Sequence, residues 1–186
     1  MSRQCRVFYA ALFLLISVLF PCMAELSNDD DMASMGVDLG FAGDLMMRED
    51  VEISGAFRLR LSDEFALKLP VSAVMGGEGV FMDTGLMLVY YPFNTGPFVS
   101  LSLIQFGFEI GEAVLNDRII SLNEVSLGWT WNYLESWFAE ASVVIRDPSG
   151  TYREEYEMIR GAFPSFRTFR IRLVAGWNFL RRPDNG

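Results

Sequence analysis

Histidine is absent from all 186 residues, and cysteine occurs only at Cys5 and Cys22. The first absence removes the side chain whose unperturbed pKa best suits proton transfer near neutrality. The second leaves the chain beyond Cys22 without a disulfide and with carboxylates as its strong metal ligands. No catalytic residue, metal site or cofactor is expected. Basic residues are scarce too. Of 15 Lys and Arg, Arg3 and Arg6 stand at the N-terminus, leaving 13 against 24 Asp and Glu, a net charge of −11 for the remainder. Nucleic acid and other polyanions are poor partners for such a surface.

Arg3 and Arg6 precede an apolar run from Val7 to Phe20, Pro21 breaks it, and small residues end at Ala24. The run is shorter than the ~20 residues of a membrane-spanning helix, and Glu25 with "NDDD" follows at once. Residues 1–24 therefore read as a cleaved secretory signal. Cys22 raises lipoprotein processing, but Pro21 replaces the small residue that normally precedes a lipidated cysteine. Residues 25–34 form an acidic lead-in.

Beyond the lead-in, helical periodicity gives way to two-residue alternation. In "VEISGAFRLRL", Val51, Ile53, Phe57, Leu59 and Leu61 share one face and Glu52, Ser54, Arg58 and Arg60 the other. Eight strand candidates follow: "VDLGF" at 37–41, then 51–61, 65–73, 84–91, 99–103, 122–131, 137–146 and 169–179. Pro70 cannot donate to a ladder and implies an irregularity in the third. Short connections at 62–64, 92–97 and 132–136 alternate with others at 46–50, 75–83, 107–117 and 147–165, most of them longer. That asymmetry is how outer-membrane barrels are built, with short turns at the periplasmic end. The expected fold is all-β, an eight-stranded antiparallel up-and-down transmembrane barrel over residues 35–179, with a periplasmic lead-in and a tail at 180–186.

Alternation does not say which face looks inward, since a soluble lipocalin-like barrel would read much the same. The tryptophans separate the two. Trp129, Trp131 and Trp137 crowd one short turn, Tyr90, Tyr91, Phe93 and Phe98 another, and Trp177 with Phe179 closes the last strand. Amphipathic rings at one height read as a girdle at the headgroup boundary. The polar face carries Asp38, Arg58, Arg60, Lys68, Glu124, Glu140, Arg146, Arg170 and Arg172. Basic side chains turned to hydrocarbon would cost ~2 to 4 kcal/mol each, so these charges are expected to line the lumen. Hairpins centred on Arg48 and Asp63 would set Asp38 opposite Arg58 and Arg58 opposite Lys68. Eight strands leave room for side chains alone, which predicts an ion-paired plug.

"MGGEGVF" and the acidic third loop, with Glu109, Glu112 and Asp117, read as solvated surface. So does the fourth loop, although Tyr152, Tyr156 and Ile159 share a helical face there; the alternative is a lid over the barrel mouth or a contact for an outside partner.

The signal, the eight runs, "YYPFNTGPFVSLSL" and "RLVAGWNF" together resemble the small eight-stranded outer-membrane barrels of the OmpW and OprG type. The resemblance covers nearly all of the chain after the signal and implies an outer-membrane location, membrane lipid and the barrel assembly machinery as partners, and passage of a small hydrophobic solute through the wall. It departs at the end, where "LRRPDNG" follows Phe179 in place of a terminal aromatic. Barrel enzymes mostly rely on histidine, and lumenal arginines would favour the ionised forms of Glu124 and Glu140, so the chain reads as a non-enzyme. The other class is a structural or adhesive anchor that presents surface loops.

Overall fold

The computed structural model describes residues 31–42, 50–76, 79–110, 119–133 and 136–181. The expected signal, the lead-in through residue 30, Glu112, Asp117 and the tail from residue 182 lie outside them. Nine strands run in chain order: β1 Asp31–Asp38, β2 Val51–Arg60, β3 Phe65–Gly76, β4 Gly79–Tyr90, β5 Gly96–Ile110, β6 Ile120–Ser121, β7 Glu124–Tyr133, β8 Trp137–Arg146 and β9 Phe169–Arg181. A helix, α1, spans Arg153–Ala162. Every pairing is antiparallel, and β9 returns to β1, with Met35 opposite Trp177. The two-residue β6 pairs with β5 just ahead of β7, so the wall has eight staves and closes without an edge.

The strands are longer than the alternation suggested. β1 begins at Asp31, inside the expected lead-in, because Met35 and Val37 face out while Ser34 and Asp38 face in and β9 supplies partners as far as Arg181. Residues 75–83 are not a long loop: β3 and β4 pair up to Gly76 opposite Gly79. At Pro70 the β3–β4 pairing lapses between Lys68 and Val71 without a register change. The β1–β2 register sets Ser34 against Arg58, so Asp38 meets Ser54 and not Arg58; Arg58 does stand opposite Lys68.

Two glycines seat the wall where β1, β8 and β9 meet. Gly36 pairs with Gly176, Gly176 pairs with Phe138, and the inward Phe138 ring lies where either glycine's Cβ would project. Such a ring covers backbone that a glycine leaves bare. At Gly176 an added side chain also meets the Met35 carbonyl oxygen. Gly176→Val is expected to cost ~1 to 3 kcal/mol through overpacking, measured as a lower urea midpoint for loss of the folded, unboiled gel band.

Candidate functional site

The barrel is inverted relative to a soluble one. Its outer surface carries Met35, Ile53, Leu69, Val71, Leu101, Leu127, Val143, Ile171 and Leu173, whereas Glu52, Lys68, Asp83, Glu124, Glu140, Arg146 and Arg172 are buried inside. The period of two places these sets back to back on each strand. Charges so enclosed need partners, because desolvation of each ion costs several kcal/mol.

In the half of the lumen toward the long connections, six charges alternate in a closed ring. Asp38 accepts from Arg170 at 2.8 Å, and Arg170 contacts Glu52. Glu52 accepts from Arg146 at 2.6 Å, and Arg146 lies 3.7 Å from Glu124. Arg172 stands 3.2 Å from Glu124 and 4.0 Å from Asp38, completing the circuit. Strands β1, β2, β7, β8 and β9 thus meet across the interior through three arginines and three carboxylates. Asp83 lies nearby, accepting from Ser72 and, at 3.1 Å, from Gln105.

Toward the short turns, Lys68 donates to Glu140 at 2.8 Å, and Arg58 lies 3.7 Å from the same carboxylate. Arg58 also donates to Ser34 and to the Tyr91 hydroxyl. Arg60 sits at the mouth and donates to the carbonyls of Ser62, Asp63 and Asn94. A cavity of about 30 Å³ lies at this end and another of about 10 Å³ beside Asp38, Asp83 and Arg172. Each is room for a few waters at most.

The opposite mouth is covered, which overturns the solvated reading of the fourth loop. Helix α1 carries Glu154 and Glu155 in its first turn and Arg160 in its last, charges that suit its dipole. Tyr156 and Ile159 point into the barrel and, with Phe163 and Phe166, pack on Val74, Phe81, Ile120 and Leu122. The Tyr156 hydroxyl donates to the Asn123 carbonyl at 2.7 Å, and burial pushes that phenol above its ordinary pKa, which keeps it a donor. Phe166 lies under Arg146, whose guanidinium carbon is 3.8 Å from the ring centroid. Phe81 and Glu109, expected on solvated surface, are buried on β4 and β5, because those strands continue under the helix.

Trp129, Trp137, Trp177, Phe179 and Tyr90 stand outward near the short turns, with Trp131 half-buried beside Trp129 at 6.4 Å between rings. Trp137 and Trp177 are direct cross-strand partners, and Phe65 with Tyr90 and Phe57 with Phe179 extend the band. Tyr91 is a correction: it is 4% exposed against 40% for Tyr90, since consecutive residues of an extended chain point to opposite faces. It packs inside with Phe98, Ala66 and Val89, so Phe98 is not in the band either. Sequence reasoning also leaves Glu52 and Asp83 out of the lumenal set. The alternation of "VEISGAF" points to Glu52; Asp83 follows the inward Phe81, whose apolar side chain hides the pattern.

No family model matches the sequence, and no curated protein matches it. Among solved structures, the N-terminal β-barrel domain of Pseudomonas aeruginosa OprF is similar, with a TM-score of 0.54 and 15% sequence identity, covering 81% of this chain and 98% of that one. At that identity the likeness concerns the fold, and it agrees with the strand order: the chain is a closed, all-β, eight-stranded antiparallel barrel.

Proposed function

We propose that this chain is an outer-membrane barrel that serves as a closed anchor, holding α1 and its flanking loops at one membrane face. The observation that carries this reading is the interior, where the charged ring and the Lys68–Glu140 pair cross the lumen beneath a helical cap. The apolar outer wall with its aromatic band suits acyl chains and headgroups, and the outward Phe179 near the end of β9 is the segment the assembly machinery would read. Refolded chain in lipid vesicles is expected to leak ions no faster than protein-free vesicles, with unboiled protein migrating apart from boiled protein on a gel. Steady ion conductance sinks the closed reading; a stable monomer in plain buffer without detergent sinks the membrane placement.

A second reading, passage of a small hydrophobic solute through the wall as in OmpW and OprG barrels, draws on β5. Its ladder to β4 shifts register between Leu86 and Met87, and Leu103 and Ile104 are both exposed there. Uptake of an apolar dye into vesicles faster than into protein-free ones would favour it.

A further inference from the structure

The segment that covers the mouth is strung between the two strands that bear the ring cations. It leaves β8 at Arg146 and enters β9 at Phe169, just ahead of Arg170 and Arg172. Its contacts return to the same place. The Arg146 guanidinium carbon lies 3.8 Å from the centroid of the Phe166 ring, and the same guanidinium donates to the Arg167 carbonyl at 3.4 Å. On the barrel side, Glu52 accepts from Arg146 through bonds of 2.6 and 3.5 Å, and Glu124 stands 3.7 Å away. Arg146 therefore belongs to both assemblies: two ring carboxylates fix its plane, and Phe166 rests on that plane. The Glu52 side chain bonds to Arg146 and Arg170 and, among the described residues, to nothing in segment 147–168. A guanidinium held over a buried ring is attracted by the ring quadrupole, more strongly away from water. That attraction lasts only while the plane stays where the carboxylates put it.

We propose that cap and ring form one latch: the ring carboxylates hold Arg146 against Phe166 and so keep α1 seated, and the seated cap in turn holds Arg146 in the ring. Such coupling acts equally in both directions, as linkage between two equilibria requires. Freed from Glu52, the guanidinium is drawn toward Glu124 and leaves the face of Phe166. Freed from Phe166, it loses a wall of the dry enclosure that makes its ion pairs strong. On its outer side α1 exposes Glu154, Glu157 and Met158. A contact that draws the helix outward by these residues thereby loosens the bonds that join β2, β7 and β8 across the lumen. The latch adds a control to the closed anchor proposed above, and cap opening is measured apart from ion leakage, so failure of one leaves the other standing.

The test is limited trypsin cleavage of the refolded full chain in detergent micelles, with cuts after Arg153, Arg160 and Arg167 identified by fragment mass. Glu52→Gln is expected to speed these cuts about ten-fold, or ~1.4 kcal/mol, although its side chain bonds to nothing in the segment that is cut. Glu124→Gln, which removes the other carboxylate that holds Arg146, should do the same and keeps the test open if Glu52→Gln does not fold. Phe98→Leu loosens the buried cluster at the opposite mouth and should leave the cap as resistant as in the parent. In the Phe166→Ala background, where the stacking face is gone, each ring variant should add less than about two-fold, because contacting residues do not act additively. Unboiled gel migration confirms that each variant is folded. Faster cutting in either folded ring variant, lost once Phe166 is removed, supports the latch. Parent-like cutting in both ring variants, equal acceleration by Phe98→Leu, or an undiminished effect without Phe166 overturns it.

Discussion

Arg146→Met is expected to lower the unfolding free energy by ~3 to 5 kcal/mol, the range for removing one partner of a buried ion pair. Arg146 is 2% exposed and holds two carboxylates of the ring, Glu52 through a pair of hydrogen bonds and Glu124 at 3.7 Å. Methionine fills much of the volume but leaves both acids enclosed without their shared cation, so the loss is electrostatic and not a cavity effect. Arg146→Lys should recover only part of it, because an ammonium cannot reproduce the planar fork. Replacing Glu52 by Gln in the Arg146→Met background should cost less than the two single changes summed, since contacting residues do not add. Urea unfolding in lipid vesicles, followed by tryptophan fluorescence, measures all of these. A loss under ~1 kcal/mol for Arg146→Met would mean that the ring does not hold the barrel together.

Phe166→Ala tests the cap. Phe166 is fully buried, meets the Phe81 ring edge-on at 5.3 Å, stacks on Tyr156 at 5.7 Å and carries Arg146 on its face. Truncating a buried phenylalanine costs ~3 to 5 kcal/mol. The barrel ladders close without α1, so the loss should appear as local opening of residues 147–168 and not as global unfolding. At ~3 kcal/mol the open population rises roughly 100-fold, and cleavage by trypsin after Arg153, Arg160 or Arg167 should accelerate in proportion. The uncleaved barrel should keep its unboiled gel position. A cleavage rate within two-fold of the parent would show that the helix is held by other contacts.

Legibility in the sequence depended on what each inward position faces. Along most of β2, β3, β7, β8 and β9, inward residues are polar or small and outward ones apolar, so the two-residue period is plain and Lys68, Glu124, Glu140, Arg146 and Arg172 fall on the enclosed face. Under the cap the inward residues Val74, Phe81, Ile120 and Leu122 are themselves apolar, because they meet the aromatic side chains of α1 and of the segment after it. There both faces read alike, and strand ends look like loops. Tyr91 and Phe98 escaped for the same reason at the other mouth, an apolar pair inside a polar lumen.

The sequence by itself determined the all-β character, the number of staves, the acidic balance and the side of the wall on which Lys68, Glu124, Glu140, Arg146 and Arg172 stand. These follow from local periodicity and from the cost of placing charge in hydrocarbon, both readable one strand at a time. Only the tertiary structure decided the partners: Lys68 with Glu140, Arg146 with Glu52, Asp38 with Ser54 and Arg170, and α1 over the mouth. A period of two fixes the face of a side chain but not its height. Which charges meet across the lumen depends on register, and register is set when the whole barrel closes.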